Sequence, residues 1–306
     1  MKLVSYRADG AGICTGVLAG TRVVRIDELI AKLEISGKAF AVRGTAPAAD
    51  GMLRLLQAGL GAMRGIAAHV ESITHGGLLD HQPALASVRL LAPVPRPGKI
   101  VAVGRNYADH AKETGVDLFE KPRIIAKLAS SVAGSGDAVK RPDGVKKMDF
   151  EAELAVVMGD FATNVTRARA LDHVAAYTAL NDLSAREFQF DISPPQTTFA
   201  KSMDGFCPLG PWLVTKDEIP DPQALELSCF VNGERMQHGH TADMIFPVDR
   251  LIEYVSQFMT LEPGDVIATG TPAGIGAFRK PPVWLKPGDA VRVEISRIGV
   301  LETTIA

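Results

Sequence analysis

The stretch DFEAELAVVMG, residues 149–159, sets Glu151 and Glu153 among apolar neighbours. In a strand, alternate side chains share a face, so the two carboxylates project together, roughly 7 Å apart at strand rise, while Phe150, Ala152 and Leu154 point the other way. On a solvated face the pair needs no explanation. On a buried face, adjacent carboxylates do not both stay ionised without a cation. Asp182, which ends the apolar run of YTALND, offers a third oxygen. Together the three would form the hard-oxygen set that suits Mg²⁺, Mn²⁺ or Ca²⁺. An aspartate there equally fits the cap of a helix beginning at Leu183. Arg186 and Gln189 follow closely and would line the same mouth as a carboxylate clamp.

A second group lies in GRNYADHAKETG, residues 104–115. Asn106 can cap a short helix and Gly115 can end it. His110 and Glu113 then share a helix face, where the carboxylate orients the imidazole and strengthens it as a base. An exposed turn with a chance His–Glu pair is the plainer reading. The polar segment 105–120, with few apolar anchors, also reads as a mobile lid. Lys201, in TTFAKSMDGFCPLG, reads by itself as a surface lysine. DVIATGTPAGIG, residues 265–276, runs from a strand into a loop whose amides and Thr271 hydroxyl either bind an anion or simply make a turn. The Gly-rich DGAGICTG, residues 9–16, lacks dinucleotide-loop spacing and reads as a hairpin turn. His238 and His240 in QHGH read as solvated loop histidines rather than metal ligands.

These groups need rigid elements to hold them. Residues 1–28 read as hairpins, IDELIAKLEI and DGMLRLLQAGLGAMRGIAAHVESI as helices, and LLAPVPRPGKI as an extended connector. A boundary near residue 95 would divide a small α/β domain, 1–95, from a strand-rich one, 96–306. In the latter, KIVAVG, RIIAKL, ELAVVMG, AAYTALND, PLGPWLVT, LELSCFVNG, DVIATG and AVRVEIS read as strands, and FPVDRLIEYVSQFMT as a helix with Pro247 in its first turn. The 29 glycines and 19 prolines suit many short strands joined by turns. A net charge of −2 without a basic stripe argues against nucleic acid, and no run approaches a membrane span. Three scattered cysteines fit neither a disulfide framework nor a zinc site and point to a reducing cytoplasm.

In order and wording, GRNYADHAKE, DFEAELAVVMG, NDLSAREFQ, AKSMDGFCPLGPWLVT, VNGERMQHGHTADMIF and LEPGDVIATGTPAGIG resemble the fumarylacetoacetate hydrolase family over residues 95–306. The preceding ninety or so residues look like the variable N-terminal domain of longer bacterial members. The resemblance implies an α+β, mostly β fold of rolled and layered sheets, a homodimer, and a site holding Mg²⁺ or Mn²⁺. It places the metal ligands on Glu151, Glu153 and Asp182, the catalytic His–Glu pair on His110 and Glu113, and an active-site lysine on Lys201. Contacts to a 2-oxo acid substrate fall on Arg186, Gln189 and Thr271. The aspartate that the eponymous enzyme carries seven residues before its histidine is Val103 here, which leaves three carboxylates.

The implied reaction is metal-dependent hydrolysis of the C–C bond of acylpyruvates, such as fumarylpyruvate or acetylpyruvate, as in aromatic catabolism. The alternatives are decarboxylation of oxaloacetate-type acids and keto–enol isomerisation of unsaturated 2-oxo dioates. Further off are ureidoglycolate or sugar-acid lyase action and a non-catalytic metal-dependent binder.

Overall fold

The computed structural model describes residues 1–8, 12–33, 51–115 and 117–306. The Asp9-Gly10 turn and the end of IDELIAKLEI lie outside these residues. The rest is a mixed α+β fold of layered sheets. The central sheet has eleven strands and runs, edge to edge, through Arg22–Arg25, Ile13–Ala19, Lys2–Arg7, Cys207–Thr215, Val174–Asn181, Ala152–Met158, Val266–Ala268, Ile100–Gly104 and Arg123–Lys127, with two short strands beside this path. A second sheet of five strands is ordered Glu234–His240, Glu226–Val231, Ala290–Ile295, Gly299–Ile305 and Ala138–Val139.

The central strands are buried on both faces, which is why they read as continuous apolar runs instead of alternating ones. In Ala152–Met158, Leu154 and Val156 pack into a core shared with the second sheet and with the helix Val248–Ser256. Ala155 and Val157 face the opposite core, with Leu55, Leu56, Met63 and Ile66 of the helical stretch Gly51–His75. That stretch is broken at Gly59, where φ is +85°. Pro247 stands at the N-cap of Val248–Ser256, one residue earlier than expected.

The sheet passes through the expected boundary at 95, because Lys2–Arg7 pairs antiparallel with Cys207–Thr215. The N-terminal hairpins thus extend the sheet that carries the acidic residues. QHGH is no loop. His238 and His240 lie in the strand Glu234–His240, where His238 Nδ1 meets Ser228 Oγ and His240 Nδ1 accepts from the Ala242 amide.

Candidate active site

Two neighbouring central strands bring the acidic residues together. Ala152 pairs with Asn181 in the register between Ala152–Met158 and Val174–Asn181, and the Asp182 amide donates to the Glu151 carbonyl. Glu151 and Asp182, distant in sequence, therefore leave adjacent strand ends side by side. Glu153 is one step further in. One carboxylate oxygen from each of Glu151, Glu153 and Asp182 lies within 4.8 Å of the others, and all three residues are buried. The solvated-face reading of the glutamate pair is excluded. So is the capping role of Asp182: the next helix begins at Arg186, and the Asp182 carboxylate binds two lysines.

Lys201 is no surface residue. Its Nζ donates to Glu151 Oε2 at 2.8 Å, Asp182 Oδ2 at 2.7 Å and Ser184 Oγ at 2.8 Å. Burial alone would lower its pKa, yet Asp182 and Glu151 hold it above the ordinary lysine value. The two carboxylates thus favour its ammonium form. Lys127, in the strand Arg123–Lys127, sits behind: Nζ donates to Asp182 Oδ1 at 2.6 Å, to the Phe206 carbonyl and to the Lys201 carbonyl. Arg186 bridges Asp149 Oδ2 through Nε at 2.8 Å and Glu151 Oε1 through Nη2, while Nη1 reaches Gln189 Oε1 at 2.8 Å. Arg186 and Gln189 do line the cavity, but they are bound to each other, and Arg186 also to the carboxylates.

Four buried carboxylates (Asp149, Glu151, Glu153 and Asp182) thus meet three buried cations, Lys127, Arg186 and Lys201. The unmatched one is Glu153, whose Oε2 accepts the Gly270 amide at 2.9 Å and which has no ion pair among the described residues. Burial, then repulsion from Asp182 and Glu151, raises its pKa well above the ordinary carboxyl value. Burial would raise Glu151 as well, but Lys201 and Arg186 overcome it and hold that carboxyl far below the usual range. A buried all-oxygen set with one uncompensated carboxylate fits a hard divalent ion, which would restore the missing charge beside Glu153. Val103, in place of a further aspartate, is an apolar part of the cavity wall.

His110 is carried by the short helix Ala108–Thr114, ended by Gly115 in a left-handed turn. His110 Nδ1 lies 3.0 Å from Glu113 Oε2, and the other oxygen of Glu113 accepts the Gly274 amide, also at 3.0 Å. Asp109 accepts the Ala273 amide in the same way. The helix read as a lid is docked on the 273–274 loop, with His110 and Ala111 buried. Asn106 does not cap this helix. Its side chain donates to the Phe246 and Thr269 carbonyls and accepts the Phe246 amide, pinning the strand end instead.

The loop after Val266–Ala268 does bind anions, but they are the protein's own. Its amides hold Glu153 (from Gly270), Asp109 (Ala273), Glu113 (Gly274) and Asp149 (Gly276 and Ala277). Close approach explains two of its glycines. A Cβ on Gly276 would lie 2.6 Å from Asp149 Oδ1, and one on Gly274, at φ +101°, would lie 2.3 Å from the Met236 carbonyl. Thr271 Oγ1 accepts from Gln237 Nε2 at 2.8 Å, and Gln237 Oε1 accepts the Ala152 amide.

His110, Glu151, Glu153, Asp182, Arg186, Gln189, Lys201 and Thr271 all border one cavity of about 430 Å³. Glu113 stands behind His110. Sequence reasoning missed Lys127, Asp149 and Gln237. A lysine inside the apolar run RIIAKL and an aspartate directly before the glutamate pair were visible signals. Gln237 gave none.

A buried carboxylate triad and an imidazole oriented by a carboxylate thus share one cavity on layered sheets. The chain belongs to the fumarylacetoacetate hydrolase family: residues 99–306 match the family's C-terminal domain model. Human mitochondrial oxaloacetate tautomerase FAHD2A is 47% identical over 232 residues, 75% of this chain and 74% of that protein. Fumarylacetoacetate hydrolase from Exiguobacterium antarcticum superposes with a TM-score of 0.77 at 36% identity, covering 100% of this chain and 99% of that one. Maleylpyruvate hydrolase from Sphingobium sp. SYK-6, in complex with manganese(II) and pyruvate, gives 0.75 at 28% identity over the same shares. No helix among the described residues is long and apolar enough to cross a membrane.

Proposed function

We propose that this chain is a divalent-metal-dependent enzyme that interconverts the keto and enol forms of 2-oxo dicarboxylic acids, with oxaloacetate as the first substrate to test. The observation that carries the reading is the buried Glu151–Glu153–Asp182 triad opening into one cavity with His110. The 47% identical relative named as an oxaloacetate tautomerase supports it. Glu151, Glu153 and Asp182 would hold the ion, Mg²⁺ or Mn²⁺. When bound, it would polarise the 2-oxo group and acidify the neighbouring C3–H.

The residues of the chain do the rest. With its Nδ1 proton donated to Glu113, His110 presents Nε2 as a base that takes a C3 proton. The C–H electron pair moves into the enolate, and the Lys201 ammonium offsets the charge developing there. Return of the proton to oxygen gives the enol, and the reverse sequence gives the ketone. Arg186 keeps Glu151 ionised and in place. Buried walls limit water, which would otherwise protonate the enolate indiscriminately.

Hydrolysis of acylpyruvate-type 2,4-dioxo acids, the reaction expected from the sequence, is the second reading. It is favoured by the His110–Glu113 pair, which would activate water in the same geometry, and by the structural likeness to maleylpyruvate hydrolase. Enolisation needs only the base and the cation, while hydrolysis also needs a placed water. An assembly of two copies and a reducing cytoplasm belong to this proposal. Leu128, Phe190 and Phe199 stay half exposed, and the three cysteines are buried and unpaired. Sedimentation would read the assembly.

The deciding experiment follows loss of the oxaloacetate enol absorbance with Mg²⁺ or Mn²⁺ and after chelation, beside pyruvate release from acetylpyruvate and maleylpyruvate. Metal-dependent enol loss without pyruvate release supports the first reading. Rapid pyruvate release from the acylpyruvates with no effect on the enol would replace it with the second.

A further inference from the structure

Two arginines border the cavity without a counter-charge. Arg105 and Arg123 line it together with the carboxylate triad. Among the described residues neither has an ion pair or a side-chain hydrogen bond, whereas Arg186, deeper in, is bound to Asp149, Glu151 and Gln189. Gly104 pairs with Arg123 in the register between Ile100–Gly104 and Arg123–Lys127, so Arg105 and Arg123 stand beside each other at the end of that pair. The Arg123 stem runs over Gly104, where a Cβ would lie 3.5 Å from its Cδ.

Arg105 is half-buried, its guanidinium 5.8 Å from the Phe119 ring centre, and its backbone is left-handed at φ +57°. An arginine in that region is uncommon. Burial, then the like charge of Arg123, lowers its pKa from the ordinary arginine value. Two neighbouring guanidinium groups at the mouth of a cavity whose floor is acidic repel each other until an anion joins them.

We propose that Arg105 and Arg123 form the subsite for the distal carboxylate of the substrate, and so select dicarboxylic over monocarboxylic 2-oxo acids. The inference rests on the oxo-acid reading above and names its substrate class. The proximal carboxylate and 2-oxo group belong to the metal end. The second carboxylate belongs to the arginines, across the apolar stretch lined by Ile125 and Phe278.

The test is calorimetric, with the Mn²⁺-loaded protein. Binding of 2-oxoglutarate, a dicarboxylate, is compared with that of 2-oxobutyrate, which keeps the 2-oxo acid end and lacks the second carboxylate. The variant is Arg105→Asn combined with Arg123→Met, since asparagine tolerates the left-handed backbone. The expected result is that the dicarboxylate-to-monocarboxylate affinity ratio falls about 30-fold, while Arg105→Lys alone recovers part of it. An equal fall for both acids, or an unchanged ratio, overturns the subsite. Retention of Mn²⁺ binding and of the thermal midpoint by the double variant excludes misfolding; if either is lost, the single Arg123→Met variant, on the exposed side, must show the same shift in ratio or the proposal fails. Since the readout is binding, it stands apart from the reaction: a wild type that binds dicarboxylates preferentially but turns over none would defeat the tautomerase reading and leave the subsite intact.

Discussion

The floor and the rim of the cavity are built from the same kinds of side chain in opposite ways. On the floor, every cation is committed: Lys127 to Asp182, Arg186 to Asp149 and Glu151, and Lys201 to Glu151 and Asp182. At the rim, neither Arg105 nor Arg123 has a carboxylate partner among the described residues, and Arg105 only faces the Phe119 ring. Charges neutralised during folding lock geometry, because moving any one of them exposes an unpaired buried partner. Charges left open are available to a ligand. The floor therefore fixes the position of the chemistry, and the rim is free to choose what enters.

The comparison breaks most visibly at the base. His110→Ala should lower turnover of oxaloacetate enol, or of acylpyruvate, by about 10²- to 10⁴-fold. Mn²⁺ affinity measured by calorimetry should stay close to that of the wild type. A parallel collapse of metal binding would mean that His110 belongs to the floor's network.

Glu153→Gln removes the one carboxylate that no cation matches. Divalent-ion affinity should fall about 100-fold, with activity falling alongside at limiting metal. If metal binding survives this change intact, the uncompensated charge is not what holds the ion.

Lys127→Met tests the floor as structure. It leaves the inner oxygen of Asp182 buried and unpaired, which should destabilise the fold by about 3 kcal/mol and lower the thermal midpoint by roughly 5 °C. An unchanged melting curve would show the floor to be less tightly coupled than its geometry indicates. Glu113→Gln, which keeps a hydrogen-bond acceptor beside His110 but removes its charge, should cost only about tenfold in turnover.

The smallest effect is in pH. Glu153 has a raised pKa in the fold, so the proton it retains there contributes stability below the unfolded value of about 4.5, lost as pH rises through the higher folded value. A divalent ion replaces that proton. The rise in thermal midpoint on adding Mn²⁺ should therefore grow as pH increases from 5 towards 8, with protons released on binding. A gain that shrinks over that range would contradict the assignment.

The amino-acid sequence by itself pointed to most of the strands and to several residues that border the cavity. ELAVVMG, AAYTALND and DVIATG read as strands because each is a short apolar run bounded by turn residues, although burial of both faces did not follow from the pattern. The His110–Glu113 pair was legible because helix spacing is local: three residues apart is one face, whatever surrounds the helix.

What lay beyond a single element was decided by the tertiary structure. Only the pairing of Ala152 with Asn181 brings Asp182 to Glu151, and only burial on both faces of that strand converts an unremarkable pair of glutamates into a charged centre. Lys201 reads as a surface residue until the fold encloses it between two carboxylates. Lys127 lies in the edge strand Arg123–Lys127, yet its side chain is the most buried of the three cations. The loop at 270–277 shows the same division. Its glycines signal a turn that can hold an anion, but not whose anion. Five of its amides proved to be occupied by Glu153, Asp109, Glu113 and Asp149. Spacing along a chain specifies which side chains share a local face. The sign and strength of a charge's environment depend on solvent exclusion and on partners far away in sequence, and those exist only once the sheets have packed.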